Sequence, residues 1–242
     1  MSREPWWKVA RAQSLERKAA IVASNAGSQP GDAFLIVTEG QVSEPIYFEL
    51  LRSALQLPAV KIRVEPGSAS HPRHVINSAA KEAAAHAERA DRGQVSNAAP
   101  KRFDQVWAVI DTDVAVREGI WAEVVQLAHS KKVKLAHSSP CFEFWLLLHI
   151  QGYTTRADLD CGDTAKYAVK KALGCDYGTN EKKARIALSK LFEKWPDATI
   201  FAEMVRKYHL VAGSDQPANP STEVCALVRA LDGSAPLHFR RI

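Results

Sequence analysis

The sequence contains little cysteine or methionine and has no long run of apolar residues. Its 242 residues include four cysteines and two methionines. The cysteines stand far apart, with no C-x-x-C pair and no histidine at zinc-finger spacing, so reduced and mostly buried thiols are expected. No apolar run reaches the roughly 18 residues that a membrane-spanning helix requires, so we expect no membrane segment.

The N-terminal segment also lacks a secretory signal. Residues 1–24, MSREPWWKVARAQSLERKAAIVAS, have neither the apolar core nor the cleavage site of a signal peptide. We therefore expect a cytoplasmic protein. The hydrophobic fraction of 46% and the chain length allow a substantial core in one large domain or two small ones.

The formal net charge is +5, which favours a polyanionic partner. Basic residues are concentrated in residues 1–31 and 166–195. Lysine-rich helices usually have a solvated face, so neither segment alone establishes nucleic-acid binding. The second segment supplies the better candidates for a substrate-binding wall, which are Lys166, Lys170, Lys171, Lys182 and Lys183.

Strand and helix patterns alternate from residue 33 to about residue 150. Four segments read as strands: AFLIVT (33–38), VKIRVEP (60–66), the run 106–111 and KVKLAHS (132–138). Helical patterns long enough for crossovers separate them, which predicts an α/β fold with a mainly parallel four-stranded sheet flanked by helices. The second strand alternates apolar and polar residues and is expected near the sheet edge.

The same patterns divide the chain into three parts. Residues 1–32 are predicted to form a basic N-terminal helix and a linker, and residues 33–150 the α/β core. Residues 151–242 have no strand signal, so we expect a helical extension packed on the core. Within that extension, residues 219–222 (NPST) provide a plausible N-cap for a last helix.

Acidic residues follow two of the predicted strands. Glu39 comes directly after the first strand, and Asp111 and Asp113 end the third. The carboxyl ends of parallel strands meet at one edge of the sheet, where ligands bind in such folds. Carboxylates are the ligands that Mg²⁺ takes in proteins, with its other positions left for water and phosphate oxygens. The pattern therefore predicts a cation site, with Asp113 as a helix cap being the alternative for that residue alone.

Three further residues have a structural and a functional interpretation. Glu143 begins the helix after the fourth strand, where an acid either joins the site or balances the helix dipole, and the sequence favours neither. His149 lies among leucines in the same helix and is expected to be a buried, hydrogen-bonded histidine. Cys141 has no neighbouring base, so core packing is expected.

Four motifs resemble a known family. The order LIVTEG, helix, strand, helix, WAVIDTD resembles the Toprim fold, the catalytic domain of topoisomerases, bacterial primases and OLD-type nucleases. TEGQVSEPIYF, VIDTD, SSPCFEFWLLLH and NPST are more closely similar to the RloB family, whose Toprim-like members are associated with phage defence and abortive infection and are often encoded beside an ATPase. The motifs occur in the right order over about residues 33–230.

The resemblance implies a Toprim-like, Rossmann-like fold and a Mg²⁺-dependent (or Mn²⁺-dependent) nuclease. Such an enzyme would cleave phosphodiester bonds in RNA, tRNA included, or in DNA, as an effector of antiviral defence. Glu39, Asp111 and Asp113 would bind the metal, and with Glu143 they would form the catalytic set. Nucleic acid and an ATPase are the implied partners, and homodimerisation is left open.

The chain departs from the Toprim pattern after its D-x-D motif. Val114 and Ala115 follow where these proteins often have another polar or acidic residue. A third aspartate is therefore missing, and a complete two-metal site would need Glu143 or Glu44. This departure supports an alternative, a non-catalytic nucleic-acid-binding or regulatory subunit that partners a defence ATPase.

Overall fold

A computed structural model describes residues 31–64, 71–97, 99–155, 162–178, 180–214 and 216–242 of the chain. The predicted N-terminal basic helix and linker, residues 1–32, lie outside the described residues except for residues 31 and 32. None of the described helices is long and apolar enough to cross a lipid bilayer.

The described residues form an α/β structure around one five-stranded sheet. The strands are β1 (Phe34–Thr38), β2 (Val60–Val64), β3 (Gln105–Asp111), β4 (Lys134–Ser139) and β5 (Ser221–Thr222). Their order is β2-β1-β3-β4-β5; the first four are parallel, and β5 runs antiparallel to β4. The predicted α/β class and the mainly parallel, Rossmann-like sheet are confirmed, with β2 at the edge.

Nine α-helices are described. They are α1 (Ser43–Ala54), α2 (Pro72–Asp91), α3 (Asp113–Arg117), α4 (Trp121–Ser130), α5 (Glu143–Gln151), α6 (Gly162–Leu173), α7 (Glu181–Phe192), α8 (Trp195–Ala212) and α9 (Val224–Ser234). A short 3₁₀ helix, Leu237–Phe239, follows them.

Helices cover both faces of the sheet because the inner strands are apolar on both sides. In β1, Phe34 and Ile36 pack into one core cluster, with residues of α1 and α5 among its members. Leu35 and Val37 point the opposite way and pack into a second cluster with residues of α2 and α4. This alternation is the period-2 geometry of a strand, and it explains why the buried strands appear in the sequence as continuous apolar runs.

The C-terminal region differs from the prediction in one respect, since it contributes a strand. Ser221 and Thr222 pair with Ser139 and Ser138, and the Ser138 and Thr222 hydroxyls lie 2.8 Å apart. The sequence predicted only a helix N-cap here, because two residues are too few to show strand alternation. Helices α6 to α9 supply many members of the larger core cluster.

The strand register fixes where the acidic residues lie. Thr38, the last residue of β1, pairs with Val109, and Asp111, the last residue of β3, pairs with Ser138. The chain after β1 therefore runs beside the end of β3, and the Glu39 amide donates to the Val109 carbonyl at 3.0 Å. The parallel topology thus brings Glu39 and Asp111 to one edge of the sheet.

Candidate active site

An open cleft of about 880 Å³ lies at this edge of the sheet. Its walls come from the loops after β1 and β3 and from α1, α3, α5 and α6, together with the loop that precedes α7. The lining residues include five acidic side chains and two lysines: Glu39, Glu44, Asp111, Asp113, Glu143, Lys166 and Lys170. All four predicted catalytic acids therefore share one cleft.

Two carboxylates are fixed by backbone amides of neighbouring segments. Glu39 is buried, and its Oε2 atom accepts a hydrogen bond from the Asp111 amide at 3.1 Å. Asp111 in turn accepts from the Phe142 amide at 2.9 Å through Oδ1. These bonds link the ends of β1 and β3 to the start of α5. Each carboxylate keeps a second oxygen for a further partner.

Glu44 is buried in the first turn of α1 and reaches back into the same cleft. Its Oε1 accepts from the Gly40 amide at 3.0 Å, and its Oε2 accepts from the Ser43 hydroxyl at 3.1 Å. Ser43 therefore binds a neighbouring carboxylate instead of capping the helix. A Cβ atom at residue 40 would overlap the Glu44 carboxylate. A larger residue there would therefore displace this carboxylate from its present position.

Glu143 and Tyr177 form a buried pair in the wall of the cleft. Glu143 is the first residue of α5, and its Oε1 accepts a hydrogen bond from the Tyr177 hydroxyl at 3.2 Å. Both side chains are almost inaccessible to solvent. Glu143 thus has a specific side-chain partner within the cleft, beyond any interaction with the helix dipole.

Asp113 differs from the other acids because it is exposed. It begins the five-residue helix α3, and its Oδ1 accepts from the adjacent Val114 amide at 2.7 Å. This local contact is typical of an aspartate at a helix start. Asp113 nevertheless lines the cleft, so the same residue makes the helix-start contact and contributes to the site.

The acids strongly influence one another's protonation. Burial is the main cause that raises the pKa of Glu39 to about 7. The nearby carboxylates of Glu44 and Asp113 add to the shift, while the hydrogen bond from the Asp111 amide and the charge of Lys166 oppose it. Burial and the charge of Glu143 raise the pKa of Glu44 to about 7. Burial and the charges of Glu44, Glu39 and Glu143 raise the pKa of Asp111 well above its ordinary value. The cleft therefore favours any group that reduces this concentration of negative charge.

The predicted lysines separate into two groups. Lys166 and Lys170, one turn apart on α6, line the cleft. Burial tends to lower the pKa of Lys166, but the negative charges of Glu143, Asp111 and Asp113 outweigh it and raise that pKa. Lys171, Lys182 and Lys183 are exposed on α6 and α7 and are not among the cleft-lining residues.

The donor chemistry of the cleft fits a hard divalent cation. Its candidate ligands are carboxylate oxygens, which Mg²⁺ and Mn²⁺ prefer, and burial together with mutual repulsion raises the pKa of Glu39, Glu44 and Asp111. In the described ranges, no three Asp, Glu, His or Cys side chains already form an arrangement that could hold a metal. Ion binding would therefore require these side chains to turn toward a common point.

His149 and Cys141 are both buried, as the sequence predicted, and His149 has hydrogen-bond partners on both ring nitrogens. The Nδ1 atom of His149 lies 2.9 Å from the Trp145 carbonyl, and its Nε2 lies 3.2 Å from the Tyr47 hydroxyl. Burial lowers the pKa of His149 to about 4, so the ring is neutral at physiological pH. Burial and nearby carboxylates raise the pKa of the Cys141 thiol, which excludes a thiolate nucleophile there.

Sequence reasoning missed Tyr177 and gave Glu44 only a secondary place. Tyr177 lies in a loop more than 30 residues after Glu143, and a loop tyrosine has no pattern that predicts a buried carboxylate partner. Glu44 had a detectable signal, since an acid followed by proline in the first helical turn lies beside the Glu39 loop. An acid in a first helical turn also balances the helix dipole, so this signal is not specific to a site.

Tyr177→Phe is expected to lower the free energy of unfolding by about 1–3 kcal/mol, because the buried Glu143 carboxylate loses its donor. Chemical denaturation followed by circular dichroism measures this change. Tyr167→Phe is the matched control, since Tyr167 is 67% exposed and its hydroxyl removal should change stability by less than about 0.5 kcal/mol. Equal stability of the two variants would show that the hydrogen bond to Glu143 contributes nothing.

Comparison with known proteins gives one match. The family described as RloB-like protein matches residues 34–231, which include every acidic residue of the cleft and the lysines of α6 and α7. No curated protein and no solved structure matches the chain. A match that extends from β1 almost to the end of α9 covers the sheet, the cleft and the C-terminal helices together. The chain therefore belongs to the RloB-like family.

Proposed function

We propose that this protein is a Toprim-type, Mg²⁺- or Mn²⁺-dependent nuclease that cleaves phosphodiester bonds in RNA, tRNA included, or in DNA. The observation that carries the proposal is the convergence of Glu39, Asp111, Asp113 and Glu143 in one open cleft with lysines on its wall. Membership of the RloB-like family supports a setting in bacterial anti-phage defence, where a partner ATPase would control the activity.

The electrostatics of the cleft support a cation as part of the proposed site. Five acidic residues line it, and a phosphate group is itself negatively charged. Without a cation, the acids would repel the substrate that Lys166 and Lys170 attract. Asp111 and Asp113 would hold the metal ion, and Glu39 would either complete its coordination or act as the general base. Bound there, the ion would neutralise charge on the scissile phosphate and lower the pKa of an attacking water.

The protein side chains supply the remaining proposed roles. As the base, Glu39 would accept a proton from water; in the metal-free protein its pKa of about 7 leaves it partly deprotonated at neutral pH. The backbone amide of Asp111 orients the Glu39 carboxylate for this role. Tyr177 holds Glu143 in place. Lys166 would contact the phosphate oxygens and stabilise the charge that develops on them.

The decisive test is a cleavage assay with a point variant. Purified protein is incubated with mixed tRNA, unstructured RNA and plasmid DNA in Mg²⁺ or Mn²⁺, and with EDTA. We expect metal-dependent cleavage of at least one substrate and a loss of about 10²–10⁴-fold for Glu39→Gln, which removes the proposed base while keeping a hydrogen-bond acceptor for the Asp111 amide.

Glu88→Gln is the control for this assay, because Glu88 is an exposed acid of α2 whose side chain is 67% accessible. It should cleave as fast as the wild-type protein. Wild-type cleavage by Glu39→Gln, or cleavage that persists in EDTA, would contradict the assignment of the site.

A second candidate function is a non-catalytic subunit that binds nucleic acid or regulates a defence ATPase. Two observations favour it: Val114 lines the cleft directly after Asp113, and the described acids do not already form a metal-binding arrangement. This function predicts nucleic-acid binding that needs no divalent cation and is followed by no cleavage.

A further inference from the structure

An exposed tyrosine stands on α6, the helix that supplies both lysines of the cleft. Tyr167 lies on α6 with 67% of its surface accessible, directly after the cleft-lining Lys166. It is the most exposed aromatic side chain in the described part of the chain. A ring exposed in this way has a free face on which another ring can stack.

The helical geometry of α6 places Tyr167 among lysines. Ala165 and Val169 face the core, which directs residues 166, 167, 170 and 171 outward. Residues three and four apart are neighbours on a helix, so the Tyr167 ring lies beside Lys170 and Lys171. One exposed acid, Asp163, lies on the same face one turn earlier. Two lysines therefore flank the ring, and the nearby acids are Asp163 and Asp176, whose carboxylate pairs with Lys170 at 3.3 Å.

We propose that Tyr167 is a stacking platform for a base of a single-stranded nucleic acid whose backbone is held by Lys166, Lys170 and Lys171. This deepens the proposed function, on which it rests, by naming the substrate class: an unpaired segment, such as a loop or an end. In a duplex, both faces of a base are already stacked, whereas an unpaired base has a free face for an aromatic ring. The lysines attract the phosphates without regard to sequence.

The test is binding without cleavage. A fluorescein-labelled oligonucleotide of about 16 nucleotides is near the upper size of a single-strand site on one domain. It is titrated in Mg²⁺ with protein that carries Glu39→Gln, so that cleavage is suppressed while a cation balances the acids, and every variant below is built on that background. Fluorescence anisotropy is the readout. The oligonucleotide is used as RNA, as DNA and as the duplex of each. We expect both single strands to bind more tightly than their duplexes, and Tyr167→Ala to weaken single-strand binding by roughly 5- to 100-fold.

Three comparisons separate stacking from other effects. Tyr167→Phe keeps the ring and should bind like the Glu39→Gln parent. Tyr208→Ala is the matched control, since Tyr208 is 50% exposed on α8, away from the cleft-lining residues, and its loss should change nothing. Tyr167→Ala keeps every lysine, so the salt dependence of binding should keep its slope, whereas Lys170→Ala should reduce that slope.

The results distinguish this inference from the proposed function. Unchanged affinity of Tyr167→Ala, equal loss in Tyr208→Ala, or duplex binding as tight as single-strand binding would each overturn the stacking role, even if the protein cleaves nucleic acid. If Tyr167→Ala loses single-strand affinity but the wild-type protein cleaves nothing in Mg²⁺ or Mn²⁺, the stacking role stands and the nuclease proposal fails.

Discussion

Asp111→Asn should abolish metal-dependent cleavage and, at the same time, raise the thermal stability of the metal-free protein at neutral pH. A bound metal ion contributes several kcal/mol of charge stabilisation to phosphodiester cleavage, so losing a central ligand should cost about 10³-fold or more in rate. Asparagine keeps an oxygen that can accept from the Phe142 amide, so the link between β3 and α5 is retained.

The stability gain follows from the removal of an ionisable group from a buried, crowded site. Burial first, and then the charges of Glu44, Glu39 and Glu143, raise the pKa of Asp111, so its ionised form is unfavourable in the folded protein. Removing this cost should stabilise the fold by about 0.5–2 kcal/mol. For a chain of this size, roughly 2–4 °C of Tm corresponds to each kcal/mol. Thermal melts in EDTA measure the shift.

Asp91→Asn serves as the control for both readouts. Asp91 is an exposed aspartate at the end of α2, where its carboxylate pairs with Arg102 at 3.2 Å. Surface ion pairs contribute little, so this variant should keep its activity and change stability by less than about 1 kcal/mol. An inactive Asp111→Asn protein that is also much less stable would indicate a structural role for Asp111 instead of a catalytic one.

The metal-free protein should lose stability as the pH rises from about 5 to 8. Glu39 and Glu44 have a pKa of about 7 in the folded state, so they keep their protons there until neutral pH. In the unfolded chain they lose their protons near the ordinary glutamate value. The unfolded state therefore binds fewer protons in this window, and the free energy of unfolding falls with pH, by on the order of 3 kcal/mol for each glutamate.

A divalent cation should oppose this loss of stability. Carboxylates bind a metal only after deprotonation, so the increase in Tm produced by Mg²⁺ should be larger at pH 8 than at pH 5. At a cation concentration of about 100 times Kd, binding stabilises the folded state by roughly 2.7 kcal/mol. Thermal melts at several pH values, with Mg²⁺ and with EDTA, give both quantities.

Glu44→Gln tests whether the acid cluster, and not some other titrating group, causes the fall in stability with pH. It removes one of the two raised glutamates, so the fall in stability with pH should become shallower. A metal-free protein whose stability is constant or increases from about pH 5 to 8 would contradict the high pKa values of this cluster. An equal effect of Mg²⁺ at all pH values would show that the cation binds elsewhere.

Sequence patterns were sufficient to predict the α/β class, because each strand and helix has its own hydrophobic periodicity in the local sequence. The apolar runs after residues 33 and 105 have the length of buried parallel strands, and the segments between them have helical periodicity. Glu39 and Asp111 follow those runs directly, so parallel topology alone brought them to one edge. The two-residue strand β5 gave no such signal, and only its pairing with Ser138 and Ser139 reveals it.

By itself, the sequence determined which acids end the strands and which helices are basic, since both follow from the order of residues along the chain. Only the tertiary structure decided that Lys166 and Lys170 face the cleft while Lys182 and Lys183 do not. It also decided that Tyr177 reaches Glu143, and that burial and mutual repulsion raise the pKa of Glu39 and Glu44. These properties depend on distances between segments remote in sequence, and packing alone sets those distances.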